Sequence, residues 1–409
     1  MIFRLLLLLI FLPTAHCLAG WEQIAAKVQL SGYGETFHAA RIRNLHEMNS
    51  SRTGVRLEAA AEFGPAYLFI SGDGEKNWKL ADESGFSLHE AWFDYVGDGW
   101  DMRLGRQIII WGKADGVQIT DLVSPPDYTE YITRDLDEIR LPVTAAKFRL
   151  LGDVAVTEFI WIPFFKAAVL ADSENPWQQV DRAALWHEAV EEPDDSLASG
   201  EFATRMSLYV SGLDLAFSAF YTWDDFATWH RHVGERDGSD ELYYTPRHHR
   251  LTVFGAEFSR PQGDFVFRGE AAALLGRYFE VKNSDHNPVK RNLFNWLLGY
   301  DWTPGNQWTL MTQISGSSVN NAEPLLRDRH TLLLTLNIKK KLLRETVTLS
   351  NMLYYSVNDK GVLDRAQMQY EVSDGVVFYL GLDLFDGVSG TFNTYRGNSQ
   401  LWCKLRYSF

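Results

Sequence analysis

The chain has 409 residues, of which 46% are hydrophobic and 14% aromatic, and it carries a formal charge of −14 at pH 7. Such an acidic balance argues against nucleic acid as a partner. Beyond the amino-terminal leader no run approaches the ~18 consecutive apolar residues of a transmembrane helix. The choice is therefore between a soluble all-β array and a barrel whose strands alternate lipid-facing with lumen-facing residues.

The first residues read as a secretory signal. Arg4 supplies a positive charge, Leu5 to Leu12 form an apolar run, Pro13 breaks it, and Cys17-Leu-Ala19 offers a cleavage site before Gly20. The run is too short to span a bilayer. The expected organisation is a signal peptide over 1–19 and one barrel domain over 20–409. Cys17 also admits a lipoprotein reading, but His16 before it fits that cleavage poorly. Removing the leader leaves Cys403 alone, so no disulfide framework is expected.

Alternation at period two then recurs in segments near the ten residues that a tilted membrane strand needs. The expected strands are 26–37, 52–63, 66–76, 86–95, 100–111, 142–151, 154–164, 202–212 and 215–224 in the first half. In the second half they are 247–260, 263–277, 292–303, 306–316, 328–340, 344–356, 362–372, 374–386 and 399–409. This makes a transmembrane antiparallel β-barrel of about 18 strands, or 16 if one weak strand at 66–76 or 86–95 fails. After every second strand the link is tight, as at Gly64-Pro65, Gly97-Asp-Gly99, Gly152-Asp153 and Ser373-Asp-Gly375, where the residues suit hairpin turns. Most intervening links are longer, notably 112–141, 165–201 and 225–246.

Charges on a lipid face are costly, so alternation assigns them to the lumen. The expected pore-lining residues are Arg56, Glu58, Glu90, Arg103, Arg149, Arg205, Arg268, Arg365, Lys404 and Arg406 on the wall. Lys27, Glu35, Glu62, Lys147, Glu158, Glu270, Glu371 and Asp383 fall on the same face. In Trp100-Asp-Met-Arg-Leu-Gly-Arg-Gln-Ile-Ile-Ile-Trp-Gly112, strict alternation sends Arg106 into lipid; a bulge at Gly105 would turn it inward beside Gln107. The stretch Gly105-Arg-Gln-Ile-Ile-Ile-Trp-Gly112 resembles a motif of a large, mostly uncharacterised proteobacterial family of outer-membrane barrel proteins, and alginate-export barrels have a similar Gly-Arg-Gln. Asp121-Leu-Val-Ser-Pro-Pro-Asp127 and Arg134-Asp-Leu-Asp-Glu-Ile-Arg-Leu-Pro142 resemble the same family. The resemblance implies an envelope barrel and carries over no substrate.

Loop 112–141 is the expected constriction, with Asp115, Asp121, Asp127, Arg134 and Asp137 among its charges, so that facing acids and bases set a transverse field. A solvated external loop is the competing reading. In loop 165–201 the stretch Val180 to Glu192 is helix-compatible and would plug or cap the mouth. His230, His232, His248 and His249 lie near Asp224, Asp225 and Asp237, but their spacing matches no catalytic motif, so no enzyme is expected. No Gly-rich phosphate loop, haem-attachment Cys pair or zinc Cys cluster occurs, and neither a cofactor nor a metal is expected.

The last strand alternates Leu401, Cys403, Leu405, Tyr407 and Phe409 with mostly polar residues. It resembles the terminal strand of Gram-negative outer-membrane barrels, which ends in Phe. The resemblance implies Tyr407 and Phe409 as an assembly signal read by barrel-assembly machinery, with outer-membrane lipid and lipopolysaccharide as surroundings and a homo-oligomer as an option. The expected function is a porin-like outer-membrane channel for an unnamed small solute. The alternatives are a transporter or export partner for a lipid, hydrocarbon or polysaccharide, motivated by inward Tyr33, Phe37, Trp92 and Trp402, and a structural barrel holding a periplasmic partner.

Overall fold

The computed structural model describes residues 28–409 except 115, 135, 173, 179–186, 237–238 and 283–285, with the backbone alone at 132, 136, 137, 236 and 239. The leader and Lys27 lie outside the described residues.

Eighteen strands form one sheet. They are β1 Val28–Arg41, β2 Asn44–Phe63, β3 Ala66–Asn77, β4 Gly85–Val96, β5 Trp100–Gln107 and β6 Val143–Leu151. Then come β7 Ala155–Ile162, β8 Glu201–Val210, β9 Leu213–Trp223, β10 Arg250–Gln262, β11 Phe265–Phe279 and β12 Val289–Trp302. The last six are β13 Trp308–Val319, β14 His330–Leu342, β15 Val347–Ser356, β16 Gly361–Ser373, β17 Val376–Asp386 and β18 Gln400–Ser408. Each strand pairs antiparallel with the one before it, and β1 pairs with both β2 and β18, which closes the barrel. Closure matters because an open edge in hydrocarbon would leave backbone groups unpaired at several kcal/mol each. Backbone bonds between Gly32 and Phe409 extend the seam by one residue.

The period-two pattern decides which way each wall residue turns. Leu57, Leu68, Ile70, Phe159, Phe202, Phe217, Phe254, Leu298 and Leu405 are exposed on the outer surface, while Arg56, Glu158, Glu257 and Gln313 point inward and are shielded. An apolar belt of this extent is stable against lipid tails and not against water. Rings gather at the short-turn end, where Trp100 stacks between Tyr95 and Phe148 and Phe265 lies against Trp302. Their apolar bodies and polar tips suit a membrane–water boundary. Gly64 and Gly375 take positive φ, 63° and 76°, in tight turns where a side chain would be strained.

Four expectations change. The strand expected over 100–111 ends at Gln107, and Ile108 leaves the wall as the start of an inward link that runs to Pro142. The link after β1 is only Ile42-Arg43, because β1 and β2 continue as a ribbon beyond the expected strand ends. The link after β9 carries its own antiparallel hairpin, Thr228–Arg236 with Ser239–Arg247. Of the helix expected at 180–192, residues 180–186 lie outside the description, and the rest is extended, with His187 and Glu191 bridging to Tyr244 and Arg247.

Candidate functional site

The link 108–142 does not stay outside. It crosses the lumen and is fastened around the whole wall. The Ile108 amide donates to Glu90 of β4 at 2.8 Å, and Trp111 Nε1 donates to Glu158 of β7 at 2.7 Å. The Lys113 amide donates to Glu270 of β11 at 2.5 Å, and its ammonium pairs with Asp214 of β9 at 3.1 Å. Thr120 Oγ1 donates to Glu270 at 2.9 Å, and Arg268 donates to the Lys113 carbonyl at 2.8 Å. Across the lumen, Glu130 pairs with Arg52 of β2 and accepts from Ser50 at 2.9 Å. Arg365 of β16 donates to the Thr133 carbonyl. Glu138 accepts from Arg406 at 3.1 Å and lies 3.5 Å from Lys404, both on β18. Asp214 stands beside a short turn, so the link descends through most of the barrel.

Two different surfaces hold this link. Against β6–β13 it buries Ile109, Trp111, Ile119 and Val123 on inward Val143, Ile160, Ile162, Ala203, Phe220, Leu251, Val253, Ala272, Leu274 and Leu297. On the other side it leaves a cavity of about 850 Å³ bounded by inward residues of β14–β18, including Asn337, Lys339, Thr348, Ser350, Gln367, Gln369 and Tyr379. Asp225, Phe226 and Phe392 line it at the long-loop end. Among the described residues, the cationic ones on its surface are Arg134, Arg140, Arg277, Lys339, Arg365, Lys404 and Arg406, and the acidic ones are Asp121, Glu138, Asp225 and Asp383.

These acids are not free to act alone. Asp121 accepts from Arg140 at 2.7 Å and from the Trp111 amide at 2.9 Å; burial nonetheless pushes its carboxyl above the ordinary range. Burial would raise Glu130 too, but Arg52 and Arg134 outweigh it and hold the carboxyl at about 2. Glu138 is likewise held below its usual value, because Lys404 and Arg406 overcome its burial. Asp225 is pushed well above the ordinary range by burial, with Glu201 and Asp224 adding to the shift.

The residues expected in the lumen fall into three groups. Asp121, Arg134, Arg365, Lys404 and Arg406 meet at the cavity. Others are ion-paired or bonded elsewhere on the inner wall: Arg56 with Asp73 at 2.6 Å, Arg103 with Asp94 at 2.7 Å, Arg149 with Asp101 at 2.6 Å, Arg205 with Glu257 at 2.6 Å, and Arg268 with Asp301. Glu58 accepts from Ser31 at 3.3 Å, Glu90 holds the Ile108 amide, and buried Gln107 donates to the Ala145 carbonyl at 3.0 Å. Asp127 turns back on its own link and accepts from Thr129 Oγ1 at 2.7 Å. Asp115 lies outside the described residues, and of Asp137 the description covers the backbone alone, within the short helix Leu136–Ile139.

Arg106 is a correction. No bulge occurs at Gly105: β4 and β5 pair without a slip from Ala91–Arg106 to Val96–Asp101. The irregularity lies one strand away, where His89 is skipped between Ser71–Glu90 and Gly72–Leu88. Arg106 therefore shares the outer face with Met102 and Leu104, and its Nε donates at 3.0 Å to the carbonyls of Leu88 and His89. Tyr407 and Phe409 lie exposed on the outer face at the seam, with ring centroids 6.1 Å apart.

Sequence reasoning did not single out Lys339, Tyr379 or Arg52. Alternation along β14 places Lys339 with Thr335 and Asn337, and that signal was available; nothing local marks Arg52 as the partner of Glu130, 78 residues away. His230 and His249 are 2.8 Å apart through their Nε2 atoms, and His249 stacks on Tyr278; Asp237 lies outside the described residues. Among the described residues no group of three or more His, Cys, Asp or Glu is placed to hold a metal.

A closed barrel of eighteen antiparallel strands, apolar outside and with most of its buried polar and charged wall residues turned inward, defines a membrane-spanning β-barrel protein. The chain belongs to the family described as protein of unknown function DUF1302, whose model matches residues 38–395. No curated protein matches it. Similar solved structures include an in-vitro folded outer-membrane protein OmpT of Vibrio cholerae in trimer form, at 12% identity over 93% of this chain and 99% of that one, with a TM-score of 0.47. The outer-membrane channel DcaP of Acinetobacter baumannii is 7% identical over 93% of this chain and 97% of that one, with a TM-score of 0.47. An anion-selective porin from Comamonas acidovorans is 14% identical over 93% of this chain and 99% of that one, with a TM-score of 0.45.

Proposed function

We propose that the protein is a porin-like channel of the outer membrane of a Gram-negative bacterium, in which link 108–142 narrows the lumen and small solutes pass along the β14–β18 wall. The observation that carries this reading is the polar cavity of about 850 Å³ left between link and wall, with lining residues from both ends of the barrel. A wall of hydrogen-bonding groups lets a solute exchange its water for side chains at little cost. The apolar inner residues speak against a conduit for lipid or hydrocarbon, since Ile109, Trp111, Ile119 and Val123 already cover them. Residues 20–409 form one barrel domain behind a cleaved leader at 1–19, and Tyr407 and Phe409 serve as the assembly signal.

Purified, folded protein in planar bilayers tests this directly. Discrete, solute-permeable conductance is expected. Its absence both in the wild type and in a variant with link 108–142 loosened would overturn the channel reading.

A further inference from the structure

Among the described residues, the charge lining the cavity differs in sign from that of the whole chain. The chain is acidic overall, at −14, yet among the described residues cationic groups outnumber acidic ones on the cavity surface. The asymmetry has a structural origin. Glu130, Glu35 and Asp224, which neutralise Arg134, Arg406 and Arg277, sit behind their partners and do not line the space. Asp383 does line it, but it is spent on Arg365 at 3.2 Å and Gln400 at 2.8 Å.

Two ammonium groups remain most available. Lys339 lines the cavity and makes no ion pair or hydrogen bond among the described residues. Among the described residues Lys404 has Glu138 as its one ion-pair partner, at 3.5 Å, and Glu138 is shared with Arg406 at a shorter 3.1 Å. Lys404 also sits between aromatic surfaces. Its Nζ is 4.8 Å from the ring centre of Tyr379, its cross-strand neighbour. Two residues before it, Trp402 lays its indole over Gly381, where an added Cβ would fall 2.1 Å from the ring. Gly381 is thus what allows a flat aromatic surface beside the ammonium.

We infer that the passage selects small organic anions with an apolar ring or short chain, holding the carboxylate at Lys404 and the apolar body against Trp402 and Tyr379, with Lys339 adding positive charge farther along the same wall. This rests on the channel reading above and names its substrate class. An ammonium beside an aromatic face offers a carboxylate a charge and its hydrocarbon a dry surface at once. Inorganic anions would use the first feature only, and neutral aromatics the second only.

The test uses folded protein in planar bilayers under a KCl gradient, with benzoate and benzyl alcohol as probes. The reversal potential should report chloride preference, and benzoate should reduce the chloride current at concentrations where benzyl alcohol does not. Lys404→Gln with Lys339→Gln should move the reversal potential toward zero and weaken the benzoate block, whereas Lys340→Gln, on the outer face of the same strand, should do neither. Heat-modifiable gel mobility checks that each variant is folded. A conducting channel that prefers potassium overturns the inference and leaves the channel reading standing. Without conductance in either the wild type or the variant with link 108–142 loosened, the channel reading falls, and quenching of tryptophan fluorescence by benzoate then decides the site alone: loss of quenching in the double variant supports it, and equal quenching overturns it.

Discussion

Along β6–β13 the inner wall turns Val143, Ile160, Phe220, Leu251, Ala272 and Leu297 toward the inserted link, whereas along β14–β18 it turns Asn337, Lys339, Ser350, Gln367 and Lys404 toward open space. Both sides obey the same alternation, and both keep hydrocarbon on the outside. What differs is the partner. Inner positions carry no lipid constraint, so their polarity follows what stands opposite: largely apolar where the link covers them, save for groups such as Glu158, Asp214 and Glu270 that bond the link, and polar where it leaves open space. Burial of each large apolar side chain on the covered side contributes about 1.5–3 kcal/mol. The link is therefore anchored by the dry half and presented to the wet one.

The sharpest way to break that division is Trp111→Ala. Trp111 is 3% exposed, packs edge-on against Phe220 and gives its Nε1 proton to Glu158. Its removal should cost about 3–5 kcal/mol of packing and leave Glu158 without that donor. The expected result is a lower unfolding temperature on heat-modifiable gels together with a larger and noisier unitary current. A stable variant with wild-type current would mean that the dry half does not hold the link.

Toward β2 the fastening is ionic, and its failure should depend on pH. Glu130 is bonded to Arg52, Arg134 and Ser50, and its carboxyl is held down at about 2 from an ordinary 4.5. A carboxyl lowered by folding contributes stability that is fully present above 4.5 and is lost as pH falls toward about 2. Glu130→Gln should cost about 3–5 kcal/mol at neutral pH, because two buried guanidiniums lose their shared partner. The wild-type current is expected to rise as pH falls from 4.5 toward about 2, and Glu130→Gln should abolish that rise, so conductance against pH is the measurement.

Where the two halves meet, Gly116 sits at φ 74° with room for no side chain, since an added Cβ would fall 2.5 Å from Tyr354 Oη. Gly116→Ala should cost roughly 1–2 kcal/mol for the left-handed backbone, and more if Tyr354 cannot yield. A thermal shift smaller than that of Trp111→Ala, with altered current noise, would place the seam there.

How much of this was legible before folding follows from the range of each signal. Strand number, turn positions and lumen-facing Arg365, Lys404 and Arg406 follow from period-two alternation and from turn residues such as Gly64-Pro65, all local features. The depth of the link is not local. Ile108 to Trp111 are apolar and read as a continuing strand, because a run bound for a dry lumen looks like one bound for lipid. The wall partners of Glu130 and Glu138 lie on β2 and β18, and only closure of the barrel brings them near.

Arg106 offers the smallest effect and the cleanest separation of inside from outside. The expected bulge at Gly105 had a physical motive, since Arg on the lipid face costs about 2–4 kcal/mol near the midplane. At ~3.3 Å per residue and a tilt of about 40°, Arg106 stands roughly 15 Å above Trp100, well within the apolar band. Gly105 does take an unusual φ of 127°, yet the strand stays in register; an added Cβ there would lie 2.3 Å from the Ala91 carbonyl oxygen, so the glycine serves close approach of β4 and β5. The slip falls at His89 instead, and Arg106 donates its Nε proton to the Leu88 and His89 carbonyls beside it. The guanidinium thus stays on the outer face, where part of its cost is offset by satisfying a bulge. Arg106→Leu removes both the charge and the bond, and these changes oppose each other, so the unfolding temperature should move by far less than for Trp111→Ala. Unitary conductance and reversal potential should match the wild type within error. A shift in reversal potential like that of the Lys404 and Lys339 variant would put Arg106 in the lumen after all and move the bulge to Gly105.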